Sequence, residues 1–164
     1  MGRTFLAIDF ETANTQADSA CAIGLVRVEN GAIARQEVHL IKPPSAYFQF
    51  TYIHGIEWNQ VRNAPTFGEL WPRIQTLFED VDFIVAHNVS FDARVLRACC
   101  ERFSIPTPEG NYLCTVQIAR DVWNIYPTKL PDVCRHLGIT LKHHEALSDA
   151  IACAKIVMAS DQQL

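Results

Sequence analysis

Long apolar segments are missing from this sequence. No run of apolar residues approaches the roughly 18 residues that a helix needs to cross a bilayer, so we expect no membrane segment. The first residues lead directly into a short apolar stretch that ends in acidic side chains, without the longer apolar region and small-residue cleavage site of a secretory signal. These absences predict a cytoplasmic protein.

Low-complexity tracts, internal repeats and linker-like stretches are also absent. Disordered, collagen-like and coiled-coil classes are therefore excluded by composition. The chain has 164 residues, of which 49% are hydrophobic, and these values suit one globular domain with one core. We expect residues 1–164 to form a single domain.

Paired cysteines of the C-x-x-C type do not occur, although the chain contains six cysteines: Cys21, Cys99, Cys100, Cys114, Cys134 and Cys153. A zinc site would show paired ligands, and a disulfide scaffold would be shorter and richer in loops. Most of the cysteines lie among apolar residues. We therefore expect buried, reduced thiols.

An excess of positive charge is missing too, because 14 Lys and Arg face 18 Asp and Glu and the formal net charge is −4. A protein that wraps nucleic acid would be basic, so this balance counts against nucleic-acid binding. Two divalent cations bound to acidic residues would neutralise the excess negative charge. This weakens the objection without removing it.

Three apolar segments at the start of the chain have the pattern of strands. They cover residues 4–9, 21–29 and 33–41, and the Asn30-Gly31 pair between the last two is typical of a tight hairpin turn. We predict that they form an antiparallel meander. Residues 42–65 are rich in aromatic residues and proline, and we predict irregular structure there.

Helices and short strands alternate in the rest of the chain. Thr66 and Glu69 fit a capping box, which predicts a helix to about Glu79 that Pro72 disturbs. Further strands are predicted at 81–86 and 112–114, and further helices at 115–122, 130–137 and 146–159. This order of elements predicts an α/β domain with a mixed sheet.

One more helix is predicted over residues 89–103, with the side chain of Asn88 as its N-terminal cap. Its apolar face is expected to consist of Phe91, Val95, Leu96 and Cys99.

Acidic side chains come at the end of the first predicted strand. Asp9 and Glu11 are two residues apart, so both carboxylates are expected to lie on one face, where open α/β sheets usually bind ligands. A merely polar strand end is the alternative. Asp92 falls in the first turn of its helix, where stabilisation by the helix dipole explains an acid equally well.

His144 and Asp149 are five residues apart, which on one helix would place their side chains about 140° from each other. They can share a site only if His144 lies in a loop before the helix, and the polar sequence Lys142-His143-His144 favours a loop. An unperturbed pKa near 6.5 suits a histidine as a proton acceptor, whereas an ordinary surface histidine is the alternative. The full set of four carboxylates and one histidine has the composition that two oxygen-ligated cations and a base require.

Three ordered motifs occur within residues 4–158: Ala7-Ile8-Asp9-Phe10-Glu11-Thr12, Ala86-His87-Asn88-Val89-Ser90-Phe91-Asp92 and His144-Glu145-Ala146-Leu147-Ser148-Asp149-Ala150. With these motifs the sequence resembles the DEDD-type exonucleases of the histidine subgroup, the family of the proofreading subunit of bacterial DNA polymerase III and of ribonuclease T. The resemblance implies an RNase H-like fold with a mixed five-stranded sheet flanked by helices. It also implies a metal-dependent 3′–5′ exonuclease that releases nucleoside 5′-monophosphates from single-stranded DNA or RNA ends.

By the same resemblance, two Mg²⁺ or Mn²⁺ ions would be held by Asp9, Glu11, Asp92 and Asp149, and His144 would deprotonate the attacking water. Four further residues would lie near the substrate, although a buried Phe10 or a structural His87 fits as well: Phe10, Thr12, His54 and His87.

Some features depart from the family or leave alternatives open. Ala13-Asn14 replaces the Thr-Gly that many members have, and the aromatic residues of 43–51 could stack on bases or pack in the core. The chain ends soon after its last predicted helix, so association with a polymerase is not expected. A non-catalytic nucleic-acid-binding or adaptor domain is the alternative function, and short oligonucleotides or a small phosphodiester are alternative substrates. The sequence does not decide between DNA and RNA or fix the oligomeric state.

Overall fold

A single mixed sheet of five strands forms the centre of the molecule in the computed structural model, which describes residues 2–163. The strands lie in the order β3-β2-β1-β4-β5. Their bounds are β1 Phe5–Thr12, β2 Ala20–Glu29, β3 Ala32–Leu40, β4 Phe83–Ala86 and β5 Asn111–Cys114. The predicted antiparallel meander of β1, β2 and β3 is confirmed. Strand β4 pairs in parallel with β1, and β5 pairs in parallel with β4.

Helices cover both faces of this sheet. Their bounds are α1 Thr51–His54, α2 Trp58–Val61, α3 Phe67–Ile74, α4 Val89–Arg102, α5 Thr115–Trp123, α6 Leu130–Leu137 and α7 Ala146–Asp161. A short 3₁₀ helix, Gln75–Phe78, continues α3. No helix within residues 2–163 combines the length and the apolar character that crossing a membrane would require.

The central strand β1 is buried on both faces and determines where the acidic residues lie. Leu6 and Ile8 belong to the apolar cluster that includes residues of α3 and α4. Phe5 and Ala7, on the opposite face, belong to the cluster that includes residues of α7. Because side chains alternate along a strand, Asp9 and Glu11 follow Phe5 and Ala7 on the face that α7 covers.

A glycine in β2 allows α7 to approach the sheet closely. Gly24 pairs with Asp9 in the β1–β2 ladder. A β-carbon at Gly24 would lie 2.2 Å from the carbonyl oxygen of Ala146, the first residue of α7. The missing side chain therefore leaves room for the start of α7, and Asp149 in its first turn comes to lie beside β1.

The capping box that begins α3 is confirmed. The hydroxyl oxygen of Thr66 accepts a hydrogen bond from the Glu69 N–H (3.2 Å), and the Glu69 carboxylate accepts one from the Thr66 N–H (3.0 Å). The α-helix ends at Ile74 and its continuation to Phe78 is 3₁₀, so the single helix predicted to about Glu79 has two parts. Pro72 lies inside the first part, where it lacks the N–H that a regular helix uses.

Three expectations from the sequence are corrected. Residues 42–65 are not wholly irregular, since they contain α1 and α2, each only one turn long and too short to show an apolar stripe. Asn88 occupies the N-cap position of α4 with φ of 62°, and its side chain makes no capping hydrogen bond. Phe91 is 44% exposed, because the buried face of α4 begins at Asp92 and continues through Val95, Leu96 and Cys99 at helical spacing.

All six cysteines are free thiols, as expected, and five of them are buried.

Candidate metal centre and adjoining cavities

Carboxylates from both ends of the chain meet beside β1. One ligand oxygen each from Asp9, Glu11 and Asp149 lies within 4.8 Å of the others. Glu11 is 9% exposed and Asp149 is 3% exposed, while Asp9 is half-buried. The strand β1 runs on to Thr12, three residues beyond its predicted end at Asp9, so both acids of the first motif lie within its last four residues.

Asp92 completes the acidic group from α4. It is 2% exposed, and its carboxylate oxygen Oδ1 accepts a hydrogen bond of 2.8 Å from the backbone N–H of Phe10, the residue between Asp9 and Glu11. It lies outside the 4.8 Å cluster of the other three oxygens. Its charge nevertheless raises the pKa of Asp9 and of Glu11, so the four acids interact electrostatically.

Burial makes these carboxylates hard to ionise together. Desolvation, followed by repulsion from Asp149 and Asp92, raises the pKa of Glu11 to about 8. Desolvation is also the main reason that the pKa of Asp92 rises to about 8, although the hydrogen bond from Phe10 opposes it. Desolvation and the neighbouring carboxylates raise the pKa of Asp9 well above its ordinary value. The site thus favours either bound protons or a bound cation.

One oxygen of this group has no partner. Oδ2 of Asp9 is buried and makes no hydrogen bond within residues 2–163. An unpartnered buried carboxylate oxygen is costly, and a metal ion is a common way to satisfy it. The donors that converge here are oxygens, which are the preferred ligands of Mg²⁺ and Mn²⁺.

His144 lies in the loop before α7, as the spacing to Asp149 predicts. Its backbone has φ of 69°, and its N–H donates a hydrogen bond of 3.1 Å to Oδ2 of Asp149. Burial, and then the neighbouring His143, lower the pKa of the His144 imidazole. The ring is therefore neutral at pH 7 and able to accept a proton.

His143 is a residue of the site that sequence reasoning missed. Its Nδ1 lies 3.2 Å from Oδ1 of Asp149, and its ring stacks on that of His144 with 3.8 Å between the centroids. The hydrogen bonds to this carboxylate thus come from the ring of His143 and the backbone of His144, while a ring nitrogen of His144 lies within 4.8 Å of an oxygen of Asp149. The adjacent pair of histidines was the available signal, but the sequence does not tell which ring would face Asp149.

An apolar cavity of about 290 Å³ opens beside the carboxylates. Three of the four residues expected near a substrate line it, namely Phe10, Thr12 and His54. The apolar side chains that sequence reasoning did not assign to the site are Ile53 and Phe91, and Phe50 comes from the aromatic segment 43–51. Phe91 of α4 is exposed because its side chain lines this cavity instead of packing in the core.

Hydrogen bonds hold the rings of the other two predicted site histidines, His54 and His87. Nδ1 of His54 accepts a hydrogen bond from the Ile56 N–H (3.0 Å), so its Nε2–H donates to the Thr12 carbonyl (2.9 Å). His87 lies apart from the apolar cavity. Its Nε2 is 2.9 Å from the Thr128 carbonyl and its Nδ1 is 2.8 Å from the Thr115 hydroxyl, so both ring nitrogens are occupied.

Comparison with known proteins assigns the family. The exonuclease family model named RNase T matches residues 6–157, which is most of the chain. The chain belongs to this exonuclease family. The resemblance to DEDD-type exonucleases that the three motifs carry is thereby confirmed.

Relatives of this exonuclease domain include much longer proteins. The chain is 31% identical over 159 residues to DNA polymerase III PolC-type of Thermotoga maritima, covering 94% of this chain but 12% of the polymerase. It is 30% identical over 160 residues to exodeoxyribonuclease 10 of Escherichia coli K12, covering 92% of this chain and 66% of that protein.

Solved structures confirm the RNase H-like exonuclease fold. Exonuclease X in complex with 5′ overhanging duplex DNA matches with a TM-score of 0.78 and 25% identity, covering 96% of this chain and 91% of that one. Escherichia coli exonuclease I in complex with a dA16 oligonucleotide matches with a TM-score of 0.82 and 21% identity, covering 99% of this chain and 41% of that one. At that identity the second match supports the fold alone.

Proposed function

We propose that this exonuclease domain is a divalent-metal-dependent 3′–5′ exonuclease that releases nucleoside 5′-monophosphates from single-stranded DNA or RNA. The observation that carries the proposal is the convergence of oxygens of Asp9, Glu11 and Asp149 within 4.8 Å of one another, beside a cavity of about 290 Å³. The names of the relatives, a DNA polymerase and an exodeoxyribonuclease, favour DNA.

The residues present fit two Mg²⁺ or Mn²⁺ ions. Asp9, Glu11, Asp92 and Asp149 would hold them, because the cluster offers oxygen donors and leaves Oδ2 of Asp9 without a hydrogen-bond partner within residues 2–163. Bound cations would supply an activated water on one side of the scissile phosphate and stabilisation of the leaving oxygen on the other.

His144 is proposed as the general base. Its imidazole is neutral at pH 7 because its pKa is lowered, and it lines the apolar cavity together with Asp9, Glu11 and Asp149. The hydrogen bond from its N–H to Asp149 ties the loop to the carboxylate cluster. His143, in contact with the same carboxylate, is proposed to orient Asp149.

The apolar cavity is proposed to hold the terminal nucleoside. Phe50, Ile53 and Phe91 offer apolar and aromatic surface for a base, and stacking on such surfaces tolerates any base. Phe10 and Thr12 border the same cavity close to the carboxylates, and His54 holds the backbone of Thr12 through its hydrogen bond. His87 is proposed to act by positioning Thr128, since both of its ring nitrogens are occupied.

We further propose that this chemistry takes place in the cytoplasm. The six free thiols of the protein suit a reducing compartment. Association with a polymerase is not part of the proposal.

The test is an assay of oligonucleotides labelled at the 3′ or at the 5′ end, with DNA beside RNA, in Mg²⁺, in Mn²⁺ and in EDTA. We expect a 3′ label to leave at once as a mononucleotide, a 5′-labelled strand to shorten stepwise, and EDTA to stop both. Asp149→Asn should abolish the reaction, whereas Asp121→Asn, on the exposed surface of α5, should leave it unchanged. Unchanged degradation by Asp149→Asn, or release that begins at the 5′ end, would contradict the proposal.

A further inference from the structure

A second cavity, of about 370 Å³, adjoins the first and differs from it in charge. The two cavities share Asp9, His143 and Asp149, so the carboxylate cluster lies between them. Arg120 and Lys129 line only the second cavity, which we call the basic cavity. Its volume falls in the range of roughly 300–1,000 Å³ that is usual for ligand sites.

The two cations of the basic cavity are free to bind a ligand. Within residues 2–163, Arg120 forms hydrogen bonds only through Nε, which donates to the Thr128 hydroxyl (3.0 Å), and its two terminal amino groups are available. Neither Arg120 nor Lys129 takes part in an ion pair in that part of the chain. The guanidinium also lies 5.1 Å from the ring centre of Tyr126, which restricts its orientation.

Thr128 organises this cavity. It is buried, its hydroxyl donates to the Ile125 carbonyl (2.8 Å) and accepts from Arg120, and its own carbonyl accepts from His87 (2.9 Å). These bonds fix both the Arg120 side chain and the backbone that leads into Lys129. A guanidinium held by Nε presents its remaining donors as a planar fork, the arrangement that matches phosphate oxygens.

We propose that the basic cavity binds the backbone phosphate of the nucleotide that precedes the scissile bond, through Arg120 and Lys129. This rests on the proposed exonuclease function, in which the apolar cavity takes the terminal nucleoside and the carboxylates face the scissile phosphate. The next phosphate along the strand then falls on the far side of the carboxylates, where the unpaired cations lie. The starts of α5 and α6, close to the same cavity, add partial positive charge.

This arrangement explains how a chain with a net charge of −4 can hold a polyanion. The positive charge need not cover the surface if it is concentrated where one phosphate must sit. It also makes the substrate's length matter, because a terminal nucleotide ester without a further phosphate would gain nothing from the basic cavity.

The test compares two substrates: the oligonucleotide (dT)₄ and the p-nitrophenyl ester of thymidine 5′-monophosphate, which has a scissile phosphate and no other. For the double variant Arg120→Ala/Lys129→Ala, we expect kcat/KM on (dT)₄ to fall about 10- to 100-fold, with less than about a 2-fold change on the ester. Lys129→Ala alone should show a smaller loss in the same direction. Arg135→Ala, which removes a surface arginine of α6 paired with Asp132, is the matched control and should change neither.

Binding gives an independent readout. The affinity for a fluorescent oligonucleotide in Ca²⁺, measured against salt concentration, should lose about 0.7 in slope for each phosphate contact removed. An equal loss on both substrates, or an unchanged rate on (dT)₄ in both variants, would overturn the phosphate site. If the parent protein cleaves neither substrate, the proposed function fails and the salt slope alone decides whether the basic cavity binds phosphate.

Discussion

Buried acidic side chains are costly, and at the scale of single residues this cost defines the site. Asp9, Glu11, Asp92 and Asp149 each have a pKa above the ordinary value, with desolvation as the largest cause. A buried carboxylate must bind a proton, a hydrogen-bond donor or a cation. The raised pKa values therefore describe a site in which protons occupy the place of cations when no metal is bound.

The stability of the metal-free protein should fall as the pH rises. Glu11 and Asp92 have a pKa of about 8 in the folded chain, so the folded state binds more protons than the unfolded state between about pH 4 and pH 8. The stabilisation is complete below the unfolded pKa and is lost as the pH approaches 8. We expect the Tm in EDTA to decrease from pH 5 to pH 8, and Mn²⁺ to raise the Tm more at pH 8 than at pH 6.

Differential scanning calorimetry across this pH range measures both effects. A Tm in EDTA that does not change with pH, or a shift on adding Mn²⁺ that is the same at both pH values, would contradict this description of the carboxylates.

The two adjacent histidines should differ in what they contribute. His144→Ala removes the proposed base and should lower kcat roughly 10²- to 10⁴-fold while the affinity for Mn²⁺ stays the same. His143→Ala removes the ring that contacts Asp149 and should weaken Mn²⁺ binding by about 10-fold, with a smaller effect on kcat at saturating metal. Titration calorimetry with Mn²⁺ and steady-state kinetics separate the two. The reverse pattern would exchange the roles of the two residues.

At the scale of helices, strands and turns, the sequence predicts those features that depend on contacts between residues close together in the chain. The capping box at Thr66 and the turn at Asn30-Gly31 lie where their patterns indicate, because the hydrogen bonds involved lie within four residues. The N-cap at Asn88 departs from its pattern because its backbone adopts a left-handed conformation and the side chain makes no capping bond. The exposure of Phe91 depends on a cavity built by other elements, which no local pattern reveals.

The close packing of α7 against β2 should require glycine at position 24, which has no side chain. Gly24→Ala places a β-carbon against backbone atoms of Ala146 and Leu147, which cannot yield as a side chain can. We expect a loss of about 1–3 kcal/mol in the free energy of unfolding and weaker Mn²⁺ binding, since Asp149 would move with α7.

Gly68→Ala is the matched control, because its β-carbon would meet the side chain of Phe103, which is partly exposed and able to move. It should leave Mn²⁺ binding unchanged. Denaturant unfolding and titration calorimetry measure the two quantities. If Gly24→Ala binds Mn²⁺ as tightly as the parent chain, the close approach of α7 does not control the site.

At the scale of the whole molecule, the site depends on contacts between distant parts of the chain. Asp9 from β1, Asp92 from α4 and Asp149 from α7 meet only when the sheet and its helices are assembled. The motifs predict which residue types matter, and the resemblance implies the fold that joins them. The sequence does not predict which histidine ring contacts Asp149, the unpartnered oxygen of Asp9 or the two cavities of opposite character, because these depend on side-chain positions fixed by packing.

The most direct test of the central claim is a crystal structure with Mn²⁺, in which the metal is located by anomalous diffraction. We predict two peaks, bounded by the carboxylates of Asp9, Glu11, Asp92 and Asp149. A diffraction map in which manganese is bound elsewhere and absent from these carboxylates would contradict the claim that this acidic group is a metal centre.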